Sequence, residues 1–392
     1  MRFTDLPLQE KLQKTLLKNN FLELTPIQKT CIPEILKGKD IVGQAETGSG
    51  KTLAFCLPLL HMIDPTQRLQ VLVLTPTREL CVQVSSVFKE FGNNLGIKTI
   101  EIYGGVSISP QIKDIPKAHI IVATPGRLLD HINRRTIDIS KIRFLILDET
   151  DKMLDMGFID DVERIISNCS KKRQTLMFSA TVSDEVYRIA KRHQKNAQIK
   201  KTKSIVDTDK LSQKYYDIHH HQDKFSLLVH LLKNETSGLA IVFCATRKET
   251  DVLAKNLRRQ GINASEIHGG MTQNKRLRSL DNLKKENIDV LVATDVAARG
   301  LDIKNVSHVY NYDVPGTPKE YIHRIGRTAR AGENGDAITL LTARDHDNFR
   351  RVQSNDKLLI RKARFPRFNK VPFIRGKNKR TKGSWKNSHR KR

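Results

Sequence analysis

Asp40-Ile41-Val42-Gly43-Gln44-Ala45-Glu46-Thr47-Gly48-Ser49-Gly50-Lys51-Thr52 is the stretch on which the fold turns. A short apolar strand runs into a glycine-rich turn, and the turn runs into a helix-like segment. Glycines in such a turn let backbone N–H groups point inward around phosphate oxygens. Lys51 then reaches the β- and γ-phosphates, and the Thr52 hydroxyl can ligate Mg²⁺. Residues Ala45, Glu46, Thr47, Gly48, Ser49, Gly50, Lys51 and Thr52 form the expected cradle, with Ala45 where the strict pattern has its first Gly.

About a hundred residues further on, Phe144-Leu145-Ile146-Leu147 ends in Asp148-Glu149-Thr150-Asp151. An acid at the carboxyl end of a parallel strand faces the crevice where a nucleotide sits. Asp148 can hold Mg²⁺ through water, and Glu149 can orient and deprotonate an attacking water. Loop and acids together read as an Mg·ATP site.

Other short apolar runs, Val71–Leu74, Ile120–Ala123 and Thr175–Phe178, alternate with helical stretches such as Glu79–Phe91. Strand and helix in alternation predict an α/β domain with a parallel sheet. The residues from Lys191 to Gln213 are polar and Lys-rich and read as a linker. A second series follows at Leu239–Phe243, Asp289–Ala293, Val306–Tyr310 and Ala337–Leu341. The expected division is a nucleotide-binding domain over 1–205, a second α/β domain over 206–356, and a basic, disordered tail over 357–392. From Arg361 to Arg392 there are 14 Lys or Arg and no Asp or Glu.

The 392 residues carry a formal charge of +27, which calls for a polyanionic partner, either nucleic acid or an anionic membrane surface. The charge outside the tail is still about half of that total, so the inference does not rest on the tail. No apolar run approaches the ~20 residues of a spanning helix. A hydrophobic content of 38% excludes wholesale disorder. Cys31, Cys56, Cys81, Cys169 and Cys244 are scattered without a Cys-x-x-Cys pair, which suits buried thiols in a reducing cytoplasm. No secretory signal is read at the start.

Further segments complete a recognisable series: Thr25-Pro26-Ile27-Gln28 with Phe21 and Phe3 upstream, Pro76-Thr77-Arg78-Glu79-Leu80, Gly104-Gly105, Thr124-Pro125-Gly126-Arg127, Ser179-Ala180-Thr181, Val242–Arg247, Gln273 with Arg276, Ala293–Asp302 and His323–Arg330. In this order they resemble the DEAD-box ATP-dependent RNA helicases, from Phe3 to about Asp345. The resemblance implies two tandem RecA-like domains. Residues 1–29 are similar to the family's Q motif, in which Gln28 would pair with adenine, Phe21 would stack on it and Thr25 would help bind the nucleotide. A Gln amide suits the donor and acceptor of adenine, and Thr25-Pro26 is also an ordinary helix start.

The same resemblance assigns RNA contacts to Pro76, Thr77, Arg78, Gly104, Gly105, Thr124, Pro125, Arg127, Thr246, Thr294 and Arg299. Hydroxyls, amides and single arginines suit phosphates and sugars, so recognition is expected to be largely blind to sequence. Asp151, Ser179, Thr181 and His323 would couple hydrolysis to domain motion. Gly300 and Asp302 would approach the ribose, and Arg327 and Arg330 would stabilise charge on the γ-phosphate. The family implies ATP and Mg²⁺ as cofactors, RNA in ribosomal or messenger RNA-protein complexes as partner, a monomer, no membrane and a cytoplasmic location. Its cycle closes two domains on ATP and RNA, strains a short duplex apart and reopens on hydrolysis.

The chain departs from the family pattern at Thr150 in the acidic box, at Asn20, where Gly is usual, at Gly270 after His268-Gly269, and at Ala329, where Gly is usual. Thr150 could alter coupling to Ser179 through a new hydrogen bond. Two other readings stay open at this point, a passive RNA-binding protein and a DNA helicase of the same two-domain kind. In the tail, Phe365, Phe368, Phe373 and Trp385 lie among basic residues, an arrangement in which bases could stack while Lys and Arg follow phosphates.

Overall fold

Strands that are apolar on both faces must be covered on both faces, and the computed structural model satisfies that demand twice. It describes residues 1–46, 48–201, 211–298, 303, 305–329, 334–356 and 358–375. Thr47, Arg299, Gly300, Asp302 and Arg330 lie outside the described residues, as does the chain after Arg375, including Trp385.

The first sheet contains β1 (Ile41–Gln44), β2 (Val71–Leu74), β3 (Thr99–Ile102), β4 (Ile120–Ala123), β5 (Phe144–Asp148), β6 (Gln174–Ser179) and β7 (Gln198–Lys201). Its order is β3-β4-β2-β5-β6-β1-β7, all parallel. Val71, Val73, Ile120, Val122, Ile146 and Phe178 enter one core. Their neighbours Leu72, Leu74, Ile121, Leu145, Leu147 and Met177 enter the core on the other face. Helices Pro26–Leu36, Lys51–Met62 and Arg78–Gly92 cover the first face; Pro125–Asn133, Ile159–Ser167 and Asp184–His193 cover the second.

The second sheet contains β8 (Leu211–Asp217), β9 (Leu239–Phe243), β10 (Ala264–Ile267), β11 (Val290–Ala293), β12 (Val306–Asn311), β13 (Gly335–Leu341) and β14 (Arg361–Lys362). Its order is β10-β11-β9-β12-β13-β8-β14. Every strand number is that of the first sheet raised by seven, so the two lobes share one topology. They are the two RecA-like α/β units expected.

Two expectations need correction. The presumed linker is shorter than the polar stretch: Asp184–His193 is helical and β7 pairs in parallel with β1. Only 202–210 separate the described parts of the lobes. β7 alternates half-buried and exposed residues at the sheet edge, so it has no continuous apolar signature. The second correction concerns the tail, whose first half is ordered. β14 pairs with β8, and Phe368, Val371 and Phe373 pack against the second lobe's core. Phe365 sits edge-on to Tyr216 and Phe373 lies 5.0 Å from Phe225. Asn256 grips the backbone of Ile374 at both its N–H and its C=O. Phe368 and Phe373 anchor a strap on the protein, while Phe365 keeps an exposed face.

Candidate active site

β1 delivers the chain to the phosphate loop, and Ala45 N–H donates to Ser179 O at 3.0 Å, which ties the loop to the end of β6. Gly48 and Gly50 have φ of 86° and 89°. A Cβ on Gly50 would stand 2.5 Å from Gln28 Nε2, so both φ and space demand glycine there. Ala45 is not among the described residues with positive φ, so a methyl group costs its backbone nothing. Ser49 Oγ donates to Glu46 O at 2.7 Å. Lys51 and Thr52 open the next helix; Lys51 is buried and its Nζ donates to Ala45 O at 2.6 Å.

Gln28 caps its own helix by accepting from Thr25 N–H at 2.9 Å, and its Nε2 donates to Gly50 O at 3.1 Å. The amide expected to read adenine is thus linked to the phosphate loop. The Thr25 hydroxyl is buried without a partner. Phe21 stays half exposed, steadied by Phe3 at 6.4 Å and Phe91 at 6.1 Å. Asn20 takes φ 58°, a conformation Asn tolerates in place of Gly. Ala329 takes φ 53° with less ease, at a cost of about 1 kcal/mol.

β5 ends in the acids. Asp148 is 2% exposed; burial, helped by the charge of Glu149, pushes its carboxyl up to about 7. Such a carboxylate is short of a cation, and with the Thr52 hydroxyl it lines the cleft beside Lys51. Glu149 is left-handed, φ 54° and ψ 50°, and begins the helix Thr150–Asp155. Its Oε1 accepts from Lys152 Nζ at 2.6 Å, while Oε2 is buried with no hydrogen bond. Burial lowers the Lys152 ammonium, against the pull of Glu149, and the nearby charge of Arg327 lowers it further.

Asp151 accepts from Thr181 and lies beside Ser179, whose Oγ accepts from Asp151 N–H at 3.2 Å and donates to Thr181 O at 2.7 Å. Burial would raise the Asp151 carboxyl, yet Lys152, Lys51 and these hydrogen bonds outweigh it and hold it below its usual range. The Thr150 hydroxyl donates to Leu147 O at 3.2 Å and Phe178 O at 3.4 Å. It closes the β5–β6 junction and does not reach the Ser179 side chain, contrary to the coupling considered for it.

The residues expected to meet RNA follow β2, β3, β4, β9 and β11, at strand carboxyl ends. Thr77 caps its helix by accepting from Leu80 N–H, and Thr246 accepts likewise from Glu249 N–H. Thr124 precedes Pro125 at the first helical position, and Pro76 leads into Thr77. The Arg78 guanidinium lies so close to Gly105 that a Cβ there would stand 2.0 Å from its Nη1, whereas at Gly104 a Cβ would meet it only at an ordinary contact of 3.5 Å. Arg127 donates to Val106 O at 3.0 Å, on the same loop, and to Gln111 Oε1 at 3.2 Å, in the helix that follows it. Thr294 follows β11 and is mostly buried. In the first lobe these residues occupy the β3-β4-β2 half of the sheet, and the nucleotide residues occupy the β5-β6-β1 half.

From the second lobe, His323 lies in the last turn of the helix Pro318–Ile325, and Arg327 follows it, buried. Side-chain bridges join the lobes. Glu79 meets Arg276 at 2.9 Å and Gln273 at 3.2 Å; Asp155 meets Lys319 at 2.9 Å. A cleft of about 1180 Å³ lies between the lobes, lined by Phe21, Lys51 and Glu149 on one side and Leu239, Ile262 and Ile303 on the other.

Sequence reasoning left out Lys152, Glu79 and Arg324. Arg324 grips Asp295 with two nitrogens at 2.6 and 2.7 Å and also reaches Asn311; Arg324 and Asn311 are buried and Asp295 is partly exposed. A lysine after four box residues reads as solvated decoration, and only the αL turn at Glu149 brings it inward. Glu79 stood in plain view, inside a quoted segment, but its partner is 194 residues away.

The family profile described as DEAD/DEAH box helicase matches residues 25–189, and that of the helicase conserved C-terminal domain matches 223–332. The chain is 44% identical over 372 residues to the ATP-dependent RNA helicase CshA of Listeria monocytogenes, spanning 94% of this chain and 72% of that one. Its shape is similar to that of S. cerevisiae Dbp5 bound to RNA and ADP BeF3, with a TM-score of 0.83, 33% identity, and 92% and 95% of the two chains covered. A DEAD box protein of Methanococcus jannaschii is 39% identical, with 93% and 99% covered, yet its TM-score is 0.56.

Proposed function

The chain belongs to the DEAD-box family of ATP-dependent RNA helicases, and from that membership we propose how its residues divide the work. It is an enzyme that hydrolyses ATP and remodels RNA. The loop amides and Lys51 hold the β- and γ-phosphates. Phe21, Gln28 and Thr25 hold the base. Asp148 and Thr52 hold Mg²⁺ with waters and phosphate oxygens, a donor set that suits an ion which keeps several of its waters. When bound, Mg²⁺ neutralises phosphate charge. Glu149 orients the attacking water, and Arg327 and Arg330 meet the γ-phosphate charge from the second lobe. Gly300 and Asp302 approach the ribose.

RNA runs along Thr77, Arg78, the Arg127 loop, Thr246, Thr294 and Arg299. The contacts are to backbone, so sequence matters little. Asp151, Ser179, Thr181 and His323 pass the state of the nucleotide to the lobe interface. The working units are 1–205, 206–356 and the strap with its basic extension from 357. The protein acts as a cytoplasmic monomer on ribosomal or messenger RNA-protein complexes. Five free, buried cysteines and a cleft completed within one chain support that setting. No helix among the described residues is long and apolar enough to cross a membrane.

The observation that carries the reading is a cleft walled by both lobes. Phosphate release measured with and without RNA tests it. Stimulation by RNA, lost in Glu149→Gln, is the expected result; equal rates in both conditions refute coupled closure. A Glu149→Gln chain that still separates duplexes fully would favour a passive binder.

A further inference from the structure

Glu149 faces a task that its own side chain cannot perform unaided. The terminal torsion of a glutamate is broad, so a lone carboxylate samples many orientations, whereas water attack on a phosphorus needs one. The left-handed backbone at Glu149 fixes where the side chain starts. Lys152, three residues on, fixes where it ends: Nζ meets Oε1 at 2.6 Å, and each side chain is only 4% exposed. Oε2 is left buried and unpartnered, on a residue that lines the cleft.

We propose that Lys152 is a positioning residue for hydrolysis, pinning one oxygen of Glu149 so that the other is presented to the attacking water. This is the logic of a base oriented by a third group. The inference rests on the role given above to Glu149. An exposed pair at this spacing would count for little. Here both charges are out of water, and removing one leaves the other stranded. Lys152 is held in turn by its backbone N–H, which donates to Asp151 Oδ1 at 3.0 Å. Asp148, Asp151, Lys51 and Arg327 are the other charges acting in this neighbourhood.

The test compares Lys152→Met, Lys152→Arg, Glu149→Gln and the Glu149→Gln/Lys152→Met double variant in the full chain. Lys152→Met should lower kcat for RNA-stimulated hydrolysis about 10- to 100-fold through misplacement of the base. KM for ATP and the affinity for a fluorescent ADP analogue should stay within about threefold, because ground-state binding is untouched. Lys152→Arg should recover most of kcat. Adding Lys152→Met to Glu149→Gln should change kcat no further, because nothing remains to be positioned. If Lys152→Met does not fold, Lys152→Arg and the double variant, which strands no charge, carry the comparison. The proposal fails if kcat of Lys152→Met stays within about twofold of the parent, or if nucleotide affinity falls as far as kcat. It also fails if the two substitutions are fully additive. Full hydrolysis by Glu149→Gln alone would overturn the role of Glu149 itself, a separate outcome.

Discussion

Asp151 Oδ2 accepts two hydrogen bonds from Thr181, one from its backbone N–H and one from its hydroxyl, each at 3.0 Å. The pair joins the acidic run after β5 to the segment after β6, and hydrogen bonds to a charged group contribute about 1.5–3 kcal/mol. Thr181→Val keeps the amide bond and deletes the hydroxyl bond. Strand separation per ATP consumed should fall by about tenfold, one hydroxyl bond's worth. Phosphate release should change far less, and Thr181→Ser should behave as the parent. A parallel fall of both activities would count against a coupling role.

Glu79 is buried, and its partners Gln273 and Arg276 come from the other lobe. Arg276→Ala leaves a carboxylate without its cation, a loss of about 3–5 kcal/mol where it stays buried. Parting the lobes relieves it by letting water in. A donor–acceptor dye pair, one on each lobe, should therefore report a more open population in Arg276→Ala, with Glu79→Gln/Arg276→Ala recovering part of the closed signal. Unchanged transfer efficiency would show that the bridge does not hold the lobes together.

His119 sets a pH dependence. Its Nδ1 accepts from Lys98 N–H at 2.8 Å, a bond that the protonated ring cannot accept. Burial lowers its pKa below the usual value, Pro65 O opposes this and Arg68 adds to it. A histidine lowered on folding is neutral in the native state and charges more readily when unfolded. Its contribution to stability is therefore complete above about pH 6.5 and is lost as the pH falls below that value. His119→Asn, whose amide oxygen can replace the acceptor, should flatten the fall in melting temperature between pH 7 and 5 relative to the parent. Identical slopes would refute it.

The strap separates two functions that the sequence runs together. A chain ending at Arg375 keeps the Phe368 and Phe373 anchors and should melt with the parent. A chain ending at Ile360 exposes that apolar surface and should melt several degrees lower, since 1 kcal/mol moves a domain of this size by about 2–4 °C. The first truncation should still weaken RNA binding and lower the salt slope by ~0.7 for each single-strand phosphate that the shortened chain no longer neutralises. An unchanged slope would remove the basic extension from RNA binding.

Continuous apolar strands such as Val71–Leu74 were legible because burial on both faces leaves no choice of residue. The phosphate loop and acids were legible because their chemistry is local: Gly50 is required by its own φ and by Gln28 beside it. What could not be read was set by partners far along the chain. Thr99–Ile102 and Ala264–Ile267 are edge strands with mixed faces. The strap's rings are spaced unevenly because they fit pockets, not a period. Lys152 turns inward only because Glu149 adopts a conformation no pattern announces.

The repeated strand order of the lobes has a consequence for stoichiometry. Where β1 leads into a glycine-rich turn, β8 leads into Ile218-His219-His220-His221-Gln222, which contains no glycine and no Lys-Thr pair. One copy of the framework carries the cradle and the other, on the reading proposed above, supplies arginines to it, so one chain offers one place to burn fuel.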